Sequence, residues 1–268
     1  MNIEKIKIIN SAGFHSLKDK NSRIYFGDEF CQNKMPEIKD LRKLLKYGGI
    51  KVTLVFPYIT QERFKDAAKI LEFVFQNKSF FDEIVFNDWG LFYFIRTKYP
   101  SVKLVLGRLL TKQKTDPFAC EIIKNSQKAV IFNNKIFVPK KVSRHTAIYF
   151  GQTLINSPVF QRFMIDNNIV RVELNNLKWN MEIKLPQDIK ASVYYPYVEI
   201  STTRFCRYLN MSKNLCKKQC LQKEIKLKKY RSPYNYIIRG NAVFFKNDKL
   251  PSLKQLQKNH IDRIVLND

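Results

Sequence analysis

Glycine and proline are scarce in this chain of 268 residues, at 8 and 10, which excludes collagen-like and low-complexity architectures. Histidine is rarer still, with three. None of His15, His145 and His260 stands in a His-Glu-x-x-His helix or beside a serine or cysteine nucleophile elbow. Each reads as a loop or surface residue, so a proteolytic nucleophile would lack its base. No uninterrupted apolar stretch approaches the ~18 residues of a membrane-spanning helix. The opening Met1–Ile8 alternates charge with isoleucine and has no apolar signal-peptide core. These absences point to a soluble, cytoplasmic protein with no membrane span.

Apolar residues make up 45% of the chain and aromatics 13%, enough for a sizeable core and against global disorder. Acidic residues are outnumbered, 23 against 48 Lys and Arg, a net charge of +25. Such a field attracts anions: nucleic acid, an acidic partner, or a small phosphorylated or carboxylated substrate. Lysine, asparagine and isoleucine are abundant throughout, as A+T-rich coding would also produce. The densest basic run, Lys213–Lys229, brackets two cysteines.

Eight short β-rich runs recur along the chain: Ile6–Ile9, Arg23–Gly27, Lys51–Pro57, Glu83–Asn87, Lys103–Gly107, Arg171–Leu174, Ala191–Tyr195 and Arg263–Leu266. Several are almost continuously apolar, which suits strands covered on both faces. Helical patterns lie between them over Met35–Tyr47, Thr60–Gln76, Trp89–Lys98, Ser157–Asp166 and Ser252–Asn259. In the second, Thr60 is the expected N-cap and Phe64, Ala68, Ile70, Leu71 and Phe75 the apolar face. Strand–helix alternation predicts an α/β fold, an irregular (β/α)8 TIM-barrel-like domain spanning residues 1–268. Two stretches break the rhythm, about 108–155 and 200–250. Each carries a hairpin signal, turned at Asn133-Asn134 and at Gly240-Asn241.

Five cysteines are present. Cys120, in an apolar helical pattern, reads as a buried structural thiol. Cys216-x3-Cys220 would put two thiols one helical turn apart, with Cys206 ten residues upstream. Cys31 follows the second strand and Cys206 the seventh. In a parallel barrel the carboxyl ends of all strands open on one face, so topology can bring Cys31 to the other three. The residues alone leave three readings open: a 4Fe–4S cluster on Cys31, Cys206, Cys216 and Cys220, a zinc ion, or no metal.

The segment Tyr25-Phe26-Gly27-Asp28-Glu29-Phe30-Cys31 is similar to the Y-x-G-x-x-x-C element of the collagenase-like peptidase family U-thirty-two. Asn87-Asp88-Trp89-Gly90 resembles that family's N-D-x-G strand end. Leu154-Ile155-Asn156-Ser157 with Arg171–Leu174 resembles its L-N-S and R-x-x-L-S half, and Arg204-Phe205-Cys206 with Cys216-x3-Cys220 its cluster signature. The resemblance covers roughly residues 20–220 and is strongest to the short UbiV-type iron–sulfur members. It implies that Cys31, Cys206, Cys216 and Cys220 ligate a 4Fe–4S cluster. It further implies a role in oxygen-independent hydroxylation of a small aromatic, ubiquinone-precursor-like substrate, with a homologous UbiU-like protein as partner in a heterodimer. Relatives that hydroxylate tRNA or rRNA supply an RNA-directed alternative, and the family's peptidases a third. Three departures point to a separate subgroup with another substrate: Phe205 separates the arginine from its cysteine, the spacing to the last cysteine pair is shorter, and residues 107–117 match no pattern of the ubiquinone proteins.

Strand ends name further candidates for the mouth. Asp88, Arg108 and Glu173 are the expected catalytic or binding residues, with Tyr25 and Tyr197 beside them. An arginine there could fork onto a carboxylate, with Gly107 permitting close approach, and a desolvated carboxyl could act as acid or base. For each, the competing reading is a salt bridge or packing residue at the barrel top. A cluster-bearing subunit that leaves the chemistry to its partner is the remaining class.

Overall fold

The computed structural model describes residues 3–10, 13, 23–116, 130–132, 135–137, 144–177, 183–209, 216–228 and 234–267. Cys120, His15, the turn at Asn133-Asn134 and residues 210–215 lie outside this set, as does the side chain of His145.

Fourteen strands are described. Eight of them close a parallel barrel: β1 (Glu4–Ile9), β2 (Arg23–Gly27), β3 (Lys51–Val55), β4 (Phe81–Phe86), β5 (Leu104–Leu106), β8 (Ile169–Asn175), β9 (Lys190–Tyr195) and β14 (Ile261–Leu266). The expected α/β barrel is thus the fold, and all eight expected runs supply its staves. Strand β14 closes the ring by pairing with β1 on one side and β9 on the other.

The near-continuous apolar runs follow from burial on both faces. Along β2, Ile24 and Phe26 point outward under the helices while Tyr25 points into the barrel. Leu54 and Val55 divide in the same way on β3, and Ile84 and Val85 on β4. The outer layer is built from α1 (Ile38–Leu45), α2 (Gln61–Gln76), α3 (Trp89–Lys98), α4 (Arg144–Gly151), α5 (Pro158–Asp166) and α6 (Leu253–Lys258). Helix α2 buries Ala67, Ile70, Leu71 and Val74. Its buried stripe therefore runs through Ala67 and Val74, where Ala68 and Phe75 were expected. Helix α1 begins at Ile38, later than Met35, because Pro36 disfavours helix in the residue before it.

The barrel interior is polar at its amino end. Arg263 pairs with Glu83 (Nη1–Oε2, 2.7 Å) and Glu4 (Nε–Oε2, 3.0 Å), and Arg171 with Asp262 (2.5 Å). Above this layer the Tyr25 hydroxyl accepts from Arg263 (2.8 Å) and donates to Glu173 Oε1 (2.8 Å). Val55, Val85, Val105, Tyr194 and Val265 fill the next level.

Both irregular stretches depart from the barrel. In the first, β6 (Val130–Phe132) and β7 (Lys135–Phe137) form the expected hairpin. In the second, β10 (Tyr197–Thr202), β11 (Ile225–Lys228), β12 (Asn235–Arg239) and β13 (Ala242–Lys246) form an antiparallel sheet of order β10-β13-β12-β11. This sheet stands at the carboxyl end of the barrel. Phe30, from the loop after β2, packs with Ala242 and Phe244 of β13.

Candidate active site at the barrel mouth

Each barrel strand delivers its following residues to one face. The loop after β2 is shaped by Asp28, whose Oδ1 accepts from the backbone N–H groups of Phe30 (2.9 Å) and Cys31 (2.7 Å). The other side of that carboxylate holds Lys34. Asn241, in the β12–β13 turn, donates to Phe30 O (2.8 Å) and Thr203 O (2.7 Å), tying the Cys31 loop to the Cys206 segment. Gly240, at φ +64°, sits against the Cys220 sulfur: a Cβ there would lie 3.4 Å from Sγ.

Cys31 borders one cavity with Cys206 and lies within electrostatic reach of Cys220. Burial first, then Asp28, pushes the Cys31 thiol up to about 11, and the Cys220 charge adds to the rise. Burial also raises Cys220. Lys34 opposes that rise, while Cys206, Asp28 and Cys216 reinforce it. Burial disfavours the charge on Lys34, yet Asp28, Cys220 and Cys31 together keep it raised. Cys220 thus has the other three thiols within electrostatic reach, and Lys34 beside it. All four cysteines are free thiols. Among the described residues, no three or more His, Cys, Asp and Glu side chains gather closely enough to hold a single metal ion.

The expected helix through Cys216 and Cys220 is absent. Residues 216–218 are not helical, and Lys218, in the left-handed region at φ +51°, precedes a single 3-10 turn over Gln219–Leu221. The left-handed residue interrupts the α-helical hydrogen-bond run, so a turn and not a helix presents Cys220.

Two cavities flank the thiols. The larger, about 720 Å³, is lined by Cys31 and Cys206 together with Trp89, Leu109, Asn175 and Glu199. The smaller, about 410 Å³, holds Cys220 and Lys34. Arg108 and Phe30 stand between the two and border both.

The three expected catalytic candidates have defined places. Arg108 is buried and fully engaged. It forks onto Glu29 (2.9 and 2.8 Å), donates to Asn175 Oδ1 (3.0 Å) and Tyr197 O (3.1 Å), and stacks over the Tyr194 ring at 4.1 Å. The role expected for it, gripping a free anion, is taken by Glu29. Gly107 permits a close approach, but the approaching group is Asn87, whose Oδ1 would lie 2.0 Å from a Cβ. Asp88 borders the large cavity and caps α3, accepting from Leu91 N (2.8 Å) and Ile59 N (3.4 Å). Glu173 lies inside the barrel, fully buried and bordering neither cavity. Burial pushes it up to about 7 against the pull of Arg171 and Arg263, and its Oε2 has no hydrogen-bond partner among the described residues. Of the two tyrosines, Tyr25 belongs to this interior network, and Tyr197 packs under Arg239 at 4.0 Å.

Two carboxyls of the mouth went unforeseen. Glu29 was hidden in a motif, two residues before Cys31. Glu199 faces Phe244 across the β10–β13 ladder and borders the large cavity. Burial pushes it up to about 7, Arg108 opposes the rise, and Glu29 adds to it. The available signal was its setting between Val198 and Ile200, directly after a barrel strand.

No protein-family profile and no curated protein matches the chain. A crystal structure of an immunomodulatory active chitinase from Trichuris suis is similar over 99% of this chain and 92% of its own, at 10% identity and a TM-score of 0.32. The barrel assignment rests on the strand pairing itself.

Proposed function

We propose that this chain is an iron–sulfur protein whose 4Fe–4S cluster is held at the barrel mouth by Cys31, Cys206, Cys216 and Cys220, beside a cavity that takes a small substrate. The observation that supports this reading is that Cys31 and Cys206 border one cavity, while Cys220 lies within charge–charge reach of Cys31, Cys206 and Cys216. The donor set fits the group: four free thiols, with the buried ammonium of Lys34 to offset thiolate charge. A zinc ion on the same thiols is the alternative, and zinc analysis of the same samples separates it from the cluster. A bound cluster of this kind supplies electron transfer.

The chain's own residues do the rest. Asp28 fixes the Cys31 loop through two backbone N–H groups, and Asn241 ties that loop to the segment carrying Cys206. Phe30, Leu109, Ile200 and Trp89 give the cavity apolar walls beside Cys31 and Cys206. With the sequence resemblance, this supports oxygen-independent hydroxylation or a related modification of a small substrate, with a homologous UbiU-like partner. The test is anaerobic purification and reconstitution, followed by iron and sulfide analysis, absorbance and EPR. The expected result is a broad band near ~400 nm that disappears when Cys216 and Cys220 are both changed to serine. Wild-type protein that takes up neither iron nor sulfide overturns the proposal.

A further inference from the structure

The floor of the large cavity has an uneven charge balance. Arg108 contributes one positive charge, and Glu29 cancels it through two parallel hydrogen bonds. Glu199 is a second carboxyl on the same floor, only 8% exposed and bordering the cavity. Its backbone N–H is held by Asn175 Oδ1 at 2.9 Å. Its carboxyl group, by contrast, has no hydrogen bond or ion pair among the described residues, while Asn175 is itself fixed by Gln113 (2.7 Å) and Arg108 (3.0 Å). A buried carboxyl without a partner is costly unless something else meets it.

The other charges do not meet that need. Lys112 and Arg204 also border the cavity, but both are exposed at its outer edge, and Arg204 is occupied with Tyr58. Solvent screens exposed charges far more than buried ones, so the floor and not the rim decides which head group is accepted. The charged groups acting on Glu199 are Arg108, Glu29 and Lys112. Across the ladder it faces the ring of Phe244.

We infer that Glu199 is the specificity-determining residue of this cavity and that its ligand presents a basic, N–H-donating head group, an amine or amidine, to the Glu199 carboxylate. The inference deepens the proposed reading by naming the group that meets the substrate. It requires the cavity but not the cluster. A planar amidine can fork onto a carboxylate in the way Arg108 already forks onto Glu29. Apolar walls accept the body of such a ligand, and one donor head fixes its orientation.

Benzamidine is the probe, measured by titration calorimetry at pH 7 in two buffers of different ionisation enthalpy, with protein before and after anaerobic reconstitution. Saturable binding is expected, with release of about half a proton per site, because Glu199 is raised to about 7 and must ionise to pair with the amidinium. Glu199→Gln keeps the shape and removes the charge. It should weaken binding about tenfold or more and abolish the proton release, with Glu199→Asp in between. Circular dichroism and iron content should match wild type in both variants. Undiminished benzamidine binding by Glu199→Gln overturns the assignment, as does absence of wild-type binding at millimolar probe. Because iron content is read on the same samples, loss of the cluster and loss of the ligand site are separate results.

Discussion

Arg108 and Glu29 face each other across the barrel mouth through two parallel hydrogen bonds, Nε to Oε1 at 2.9 Å and Nη2 to Oε2 at 2.8 Å, with both side chains at most 2% exposed. The pair joins the loop after β5 to the loop after β2, and through Asn175 and Tyr197 it reaches β8 and β10. It is a mechanical joint between four segments and separates the two cavities. Removing one partner leaves the other charge buried and alone, which costs about 3–5 kcal/mol. Glu29→Gln and Arg108→Met should each lower urea-unfolding stability by that order. The double replacement should cost less than the sum of the two, because no isolated charge remains.

Glu173 gives a pH signature. Its folded value is raised from 4.5 to about 7 by burial, so the folded state holds this proton more tightly than the unfolded chain. Its contribution is fully present below about pH 4.5 and lost as pH rises through about 7, a difference on the order of 3 kcal/mol. Glu173→Gln still accepts from Tyr25 but cannot ionise. Unfolding measured from pH 5 to 8 should show a flatter profile for the variant, with the gain in stability at the upper end. Equal slopes for variant and wild type would contradict burial as the cause.

Two glycines should differ sharply on substitution. A Cβ on Gly27, at φ +135°, would lie 2.2 Å from the carbonyl oxygen of Val55, and backbone cannot step aside. Gly27→Ala should destabilise by about 3 kcal/mol or more. Around Gly48, at φ +45°, a Cβ would meet nothing within 4 Å among the described residues. Gly48→Ala should cost only the left-handed backbone penalty, about 1–2 kcal/mol. Thermal melts of the two variants suffice.

Salt separates a small substrate from RNA. A site of 720 Å³ recessed in the barrel mouth suits a small molecule, and its occupancy should change little with ionic strength. Binding of a mixed-sequence RNA through about six phosphates should fall roughly a thousandfold between about 50 and 200 mM salt. Filter binding of RNA that is saturable at the lower salt and falls this steeply at the higher would favour the RNA-directed reading and the net charge of +25 as its basis.

Much of the scaffold was legible. Arg23–Gly27 was bounded correctly because apolar side chains on both faces leave a short, uninterrupted run, and the helix over Trp89–Lys98 because Asp88 caps it. Helix α6 falls within the expected Ser252–Asn259, and its start is fixed by the reciprocal capping box of Ser252 and Gln255. Parallel topology accounts for Cys31 and Cys206 bordering one cavity at the barrel mouth. The roles of the charged candidates were not legible. Nothing local in Gly107-Arg108 announces that Glu29, 79 positions away, will occupy the guanidinium. Nor does Arg171–Leu174 show that Glu173 sits below the mouth instead of at it. Glu199 drew no reading from the sequence, because its burial depends on the packing of β10 against β13 and the barrel mouth. Lys218 broke the expected Cys216–Cys220 helix through a left-handed conformation that no composition rule assigns to lysine.

The order of apolar runs and helical stripes by itself determined a parallel α/β barrel and the shared face on which its strands end, because side-chain periodicity and burial on two faces are properties of neighbouring residues. Which charges are spent and which remain for a ligand was decided only in three dimensions. Arg108 is neutralised and Glu199 is not, because electrostatic pairing and desolvation depend on distances between segments that lie far apart along the chain.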